Sequence, residues 1–242
     1  MDNIRLLTPP NDTARDSERW YEFAIYLSRQ CGDTVTPLIT TTAEEFQQQL
    51  GDAGMVYCAP EQIPTLIRDH RFIPLMQPVE VYEEVVIASG PAASEHRLSA
   101  IQGCSLGGIK GTFANRLGLT TLKAKQIRPG SMAYAENWLQ LLKAVQQGQQ
   151  PYALLSKNFI DQLSELSLTS VNLLARSHLR KAFPLLMAAP QLKPRVNGLR
   201  DILERMADDP KGAAVVEKLN NQGWKKPSQQ SIINMVKLLR GK

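Results

Sequence analysis

The chain is poor in the groups that carry most metal binding and catalysis. Its three cysteines, Cys31, Cys58 and Cys104, stand far apart with no Cys-x-x-Cys pair, and its three histidines, His70, His96 and His178, cluster neither with them nor with one another. That spacing excludes the common zinc sites, so no metal is expected. No Gly-x-Ser-x-Gly elbow or Gly-x-Gly-x-x-Gly turn is present. The stretch Gly107-Gly108-Ile109-Lys110-Gly111-Thr112 has the residues of a phosphate-binding P-loop in the wrong order, Lys ahead of Gly. Nucleotide hydrolysis is excluded, and neither a cofactor nor an enzymatic activity is expected. No run approaches the ~18 consecutive apolar residues of a membrane helix, so no direct membrane insertion is expected. Residues 1–7 lack the charged and then apolar pattern of a signal peptide. This leaves both a cytoplasmic protein and a mature chain open.

What is there is an ordinary globular composition: 242 residues, 43% hydrophobic and 21% charged. The net charge of +5 is spread along the chain, without a basic block or an aromatic-rich RNA signature. Nucleic-acid binding is therefore not expected. A mildly basic surface suits the capture of small anions.

Strand and helix patterns alternate from the start, the mark of an α/β fold. Residues 4–8 read as a strand stopped by Pro9-Pro10. Asp16 is placed to cap a helix whose Trp20, Phe23, Ala24, Leu27 and Cys31 share one face, and Gly32 ends it. Residues 34–41 form a strand, and Thr42 with Glu45 a capping box for 43–50. Residues 55–59 form a strand cut off by Pro60, which opens a helix over 60–69. A short helix is expected at 98–102, a strand at 104–109, a helix at 113–117 capped by Thr112, a turn at 128–131 and a helix at 132–147. A strand at 151–156, a helix at 157–166 and a strand at 170–175 follow. Val196, Leu199, Ile202, Leu203 and Met206 mark a helix face that Asp209-Pro210 and Gly212 break, before helices at 213–219 and from Ser228 onward.

Two stretches, 81–90 and 183–190, read as strands that leave one compact unit and return to it. Two crossings imply two lobes, residues 1–84 plus 185–242 and residues 85–184, with a small ligand in the cleft they enclose.

Three segments resemble the phosphate-, phosphite- and phosphonate-binding proteins of ABC importers, which have the type II periplasmic-binding fold. Tyr57-Cys58-Ala59-Pro60 resembles the family's aromatic-small-Gly-Pro turn, and residues 81–87 its aromatic-containing crossover strand. Residues 183–187 with 199–206 and Asp208-Asp209-Pro210-Lys211-Gly212 resemble its return strand, helix and Asp-Pro-(Glu/Lys)-Gly break. The resemblance implies a two-lobed solute-binding protein with two hinge crossovers. It would be periplasmic and monomeric, closing on a small anion and docking on an ABC permease.

The family's oxyanion loop, which starts a helix, corresponds to Lys110, Gly111, Thr112 and Phe113. There a helix N-terminus supplies free N–H groups, Lys110 a charge and Thr112 a hydroxyl. The family's Ser-Thr-Ser-Gly run is absent, its later His position falls near Ser131 and its acidic position near Ser156, so the amino-phosphonate pocket is not reproduced. Tyr82 matches a ligand-contact position. Glu83 and Glu84 point to opposite sides of a strand, and Glu83 is kept as a candidate. Tyr57 and Cys58 end a strand where open α/β sheets bind ligands, and Asn11 follows the first strand in an analogous loop. Three alternatives remain open: a sensory partner of a histidine kinase, possibly reading arsenite through the Cys58 thiolate; a cytoplasmic enzyme on the same fold; and a degenerate pocket that binds no small molecule.

Overall fold

A computed structural model of the chain describes residues 3–10 and 17–239. Two compact units emerge, Met1–Tyr82 with Phe183–Lys242, and Glu83–Ala182. In chain order the first unit opens with strand β1 (Asn3–Thr8), helix α1 (Glu18–Cys31), β2 (Thr34–Ile39), α2 (Ala43–Gln49), β3 (Met55–Cys58), α3 (Ile63–Arg68) and β4 (Ile73–Pro78). The second unit comprises β5 (Val85–Ser89), β6 (Ser105–Gly108), α4 (Phe113–Ala124), β7 (Ser131–Tyr134), α5 (Trp138–Gln146), β8 (Tyr152–Ser156), α6 (Lys157–Asp161) and β9 (Asn172–Arg176). The chain then returns to the first unit with β10 (Leu185–Ala188), α7 (Val196–Glu204), α8 (Pro210–Lys218), β11 (Trp224–Lys225) and α9 (Gln229–Leu239).

The sheet of the first unit runs β11-β4-β10-β3-β1-β2, with β1 parallel to β2 and β3, and β10 antiparallel to β3 and β4. Its core joins Trp20, Phe23 and Leu27 of α1 to Leu199 and Leu203 of α7 and to Trp224. Local chemistry sets the ends of these elements. Gly32, at φ +75°, closes α1 in the left-handed region that costs glycine little. Thr42 and Glu45 form the expected capping box of α2. Asp209 accepts from the Gly212 N–H with Pro210 in the first turn, so Asp209-Pro210 starts α8 rather than only interrupting a helix.

The second unit's sheet runs β7-β6-β8-β5-β9, with β6 parallel to β7 and β8, and β5 antiparallel to β8 and β9. Every residue of β5 and β8 is buried, as strands covered on both faces require. Helix α4 covers one face, where a Cβ on Gly118 would lie 2.6 Å from Leu154 Cδ2. Helix α5 covers the other, where a Cβ on Gly107 would lie 2.7 Å from Leu141 Cδ1. No helix among the described residues is long and apolar enough to cross a membrane.

Several local expectations change. β4 is absent from the sequence reading because Pro74 and Pro78 argue against a strand. Pro74 sits where the β4–β10 register shifts, and such irregularities tolerate proline. The helix expected over 132–147 begins only at Trp138, because Asn137 caps it by accepting from the Gln140 N–H, and residues 131–134 form β7 instead. Of the crossover expected over 81–90, Val85–Ser89 forms a strand, and the Glu83 N–H ahead of it donates to the Ala182 carbonyl at 2.7 Å. The helix expected over 157–166 stops at Asp161, and a 3-10 turn, Glu165–Leu168, follows. The expected cap Asp16 lies outside the described residues.

Candidate functional site

The parallel strands β6, β7 and β8 all end on one edge of the second unit's sheet, and β5 starts there. Open α/β sheets bind ligands at such an edge. β6 ends at Gly108, and four residues separate it from the start of α4. In between, Gly111 takes φ +84°, and a Cβ there would meet nothing within 4 Å, so the main chain stays open on that side. Lys110 beside it is exposed.

Thr112 caps the helix. Its Oγ1 accepts from the Asn115 N–H at 3.3 Å and donates to the Ile109 carbonyl at 3.0 Å. The hydroxyl proton is thus committed, and Thr112 shapes the turn instead of donating to a ligand. The N–H groups of Phe113 and Ala114 find no main-chain acceptor among the described residues. The Phe113 side chain is core, 2% exposed; what this residue offers a ligand is its N–H. Two open N–H groups, the dipole end of a twelve-residue helix and a neighbouring ammonium make an anion site by elementary electrostatics.

Ser156 belongs to the same edge. It ends β8, pairs with Val85, is 4% exposed and makes no side-chain cap bond at α6. Two residues beyond Leu154, it points to the face that α4 covers. Glu83 is half-buried, with Oε2 accepting from Asn158 Nδ2 at 3.3 Å. Glu84 is 4% exposed, and its Oε1 is buried without a partner. Tyr82 is half-buried just ahead of them.

Two candidates change standing. Ser131 is the first residue of β7, level with Ser105, whereas Gly108 is level with Tyr134. With about 3.3 Å of rise per residue, Ser131 sits roughly 10 Å away at the opposite edge of the sheet. The sequence reading placed it in a turn ahead of a helix; it begins a strand. Cys58 is fully buried in β3, its Sγ donating to the Leu185 carbonyl at 3.3 Å, and burial pushes its thiol pKa far up. A thiolate ligand for arsenite is therefore contradicted. Tyr57 is half-buried, its ring 4.9 Å from that of Trp20 and 6.2 Å from that of Trp224. Asn11 lies outside the described residues. No group of three or more His, Cys, Asp or Glu capable of holding a metal occurs among the described residues.

One residue escaped the sequence reading. Asn115, in the first turn of α4, is 7% exposed, and Gly108 lies beneath it. The spacing Thr-x-x-Asn after a strand carried the signal. A separate groove of about 590 Å³ runs between β7 and α5, lined by Tyr134, Asn137, Gln140 and Gln147 among others, and includes none of the α4 residues.

The family described as the periplasmic substrate-binding protein of phosphonate ABC transporters matches residues 6–232. No curated protein matches the chain by sequence. Among solved structures, PhnD1 from Prochlorococcus marinus in complex with methylphosphonate superposes with a TM-score of 0.86 at 11% identity, over 99% of this chain and 97% of that one. A binding protein component of an ABC phosphonate transporter from Pseudomonas aeruginosa gives 0.81 at 12% identity, over 98% and 85%. A Xanthomonas citri protein bound to ATP gives 0.75 at 15% identity, over 100% and 97%. These likenesses establish the type II periplasmic-binding fold, and the family match favours neither a sensory partner nor a cytoplasmic enzyme. The chain belongs to the family of periplasmic substrate-binding proteins of phosphonate ABC transporters.

Proposed function

We propose that this chain captures a small tetrahedral oxyanion of the phosphonate or phosphate class and delivers it to an ABC permease, in the periplasm, as a monomer and without chemical conversion. The observation that carries this reading is the start of α4, where the Phe113 and Ala114 N–H groups find no main-chain acceptor among the described residues and Lys110 beside them is exposed. Ser156 adds a hydroxyl on the same face, and Gly111 leaves room for the ligand to approach. The methylphosphonate held by the Prochlorococcus marinus relative supports the ligand class.

Isothermal titration calorimetry tests this with methylphosphonate, phosphate, phosphite, sulfate and ATP. Saturable binding of at least one phosphorus oxyanion, with a ligand-dependent rise in melting temperature, is expected. Heat from ATP alone, or from none of the five, overturns the reading.

A further inference from the structure

The second unit's sheet ends on β7 and β9, and the first unit's on β11 and β2. A bare strand edge is a template for another chain, and proteins blunt it by shortness, proline, bulges or charge. Among the described strands, β11 has two residues, β2 contains Pro37, and β9 carries a register shift against β5 and ends at Arg176. β7 has no such guard. Its residues, Ser131–Tyr134, include neither a charge nor a proline, and its register against β6 is unbroken. Just beyond it the Ala135 N–H donates to the Gly108 carbonyl at 3.0 Å. Successive residues of a strand turn their main-chain groups toward one neighbour and then the other, so Met132 and Tyr134 direct their N–H and C=O groups away from β6. The Tyr134 side chain is 51% exposed.

The open groove of about 590 Å³ lies along this strand, with α5 as its other wall. Gln140 and Gln147, both exposed, stand on that wall on either side of Ala144. Gln140 Oε1 accepts from the Glu136 N–H at 2.8 Å, and Gln147 Oε1 accepts from Gln149 Nε2 at 3.2 Å. Each amide is thus oriented with its NH₂ group left as a donor. The charged residues of the lining are Glu136 and Lys143, both exposed. From Glu136 to Lys143 is roughly 12 Å, one extended residue followed by six helical ones. That is about the span of four residues of an extended chain, whose first and fifth side chains share a face. We propose that the groove between β7 and α5 binds an extended polypeptide segment of a partner protein, which joins the five-stranded sheet beside β7. This is strand addition at a sheet edge. The open main-chain groups of Met132 and Tyr134 hold the segment, and Gln140 and Gln147 donate to its carbonyls. Glu136 and Lys143 select a basic and an acidic residue four positions apart. None of this involves the start of α4, so the inference goes beyond oxyanion capture.

The test is a heteronuclear NMR titration of the full chain with the peptide acetyl-Thr-Lys-Thr-Val-Thr-Glu-Thr-amide. Saturable shifts confined to the amides of residues 131–149 are expected, with a Kd between about 10 μM and 1 mM. The Met132 and Tyr134 amides should exchange more slowly with solvent in the complex. The N-methylated analogue of the peptide, which cannot donate to a strand, should bind at least about tenfold more weakly. Replacing its Lys and Glu by Thr should weaken it about threefold or more. Tyr134→Pro removes an N–H that faces away from β6, a position where an edge strand tolerates proline, and should weaken the peptide at least about tenfold. Tyr134→Thr keeps that N–H and should bind within about fivefold of the wild-type protein. If the proline variant does not fold, the N-methylated analogue decides the matter. No shift at about 5 mM peptide overturns the proposal, as does equal binding of the N-methylated analogue. Sedimentation showing that the peptide-free protein pairs with itself through β7 would place a second copy on this edge and overturn the partner assignment.

Discussion

The Cys58 thiol donates to the Leu185 carbonyl at 3.3 Å, across the antiparallel pair formed by β3 and β10. The sulfur is sealed in the first unit's core, where loss of hydration disfavours the thiolate. Cys58 should therefore resist maleimide at pH 8 in the native protein and react only on unfolding, as peptide mass mapping would read. The half-buried Cys31 and Cys104 serve as internal comparisons. Arsenite should leave the melting temperature unchanged, and Cys58→Ser should cost about 1–3 kcal/mol in urea unfolding. Rapid native labelling at Cys58 would refute this placement.

Gly212 explains why the segment 208–212 reads as it does. A Cβ there would lie 2.0 Å from the Met206 carbonyl oxygen and 2.9 Å from Tyr26 Oη. A main-chain oxygen cannot swing aside as a flexible side chain can, so Gly212→Ala should destabilise by about 2 kcal/mol or more. Gly111→Ala offers the contrast. Its Cβ meets nothing, and only the φ of +84° resists it, which predicts about 1 kcal/mol. Chemical denaturation of the two variants side by side checks the order, and the reverse order would contradict it.

The Tyr26 hydroxyl has its pKa raised above the usual 10.0, first by burial and then by the charge of Asp209 and a hydrogen bond to it. The folded state thus disfavours the phenolate. The stabilising contribution is complete below the unfolded pKa near 10 and is lost as pH climbs through the higher folded value. Stability should decline above pH 10, and Tyr26→Phe should flatten that decline. Urea midpoints from pH 8 to 11 measure both, and parallel curves for the two proteins would rule out Tyr26 as the cause.

Much of this architecture is written in local chemistry. The α2 capping box, the α1 stripe and the Gly32 stop each depend on neighbours a few residues away, and each stands where the sequence places it. What escapes is non-local. β4 carries two prolines, Pro74 at the register shift against β10 and Pro78 at the strand's end, level with Trp224 of β11, and neither partner is visible in the local sequence. The helical pattern expected from residue 132 hides β7 until Asn137 caps the helix, and Ser131, expected in a turn, is the first residue of that strand. The candidate loop at 110–113 was legible as a strand-to-helix turn. That the Thr112 proton is already spent, and that Asn115 is not satisfied, depends on hydrogen bonds no spacing reveals.

Lys110 carries the remaining prediction. It is exposed, so its removal should leave the fold intact within about 0.5 kcal/mol. Its charge acts on the ligand through a partly aqueous path that salt screens, with a Debye length of about 10 Å at 0.1 M. Lys110→Ala should weaken oxyanion binding about 3- to 30-fold at low ionic strength, and its affinity should depend less on salt than that of the wild-type protein. Thr112→Ala should act differently, losing about 1 kcal/mol of stability with the cap and weakening binding because the first turn of α4 loosens. Tyr82→Ala should weaken binding without unfolding the protein. Calorimetry at two salt concentrations, with circular dichroism as the folding control, separates the three variants. Wild-type affinity in both Lys110→Ala and Tyr82→Ala would mean that the anion is held elsewhere.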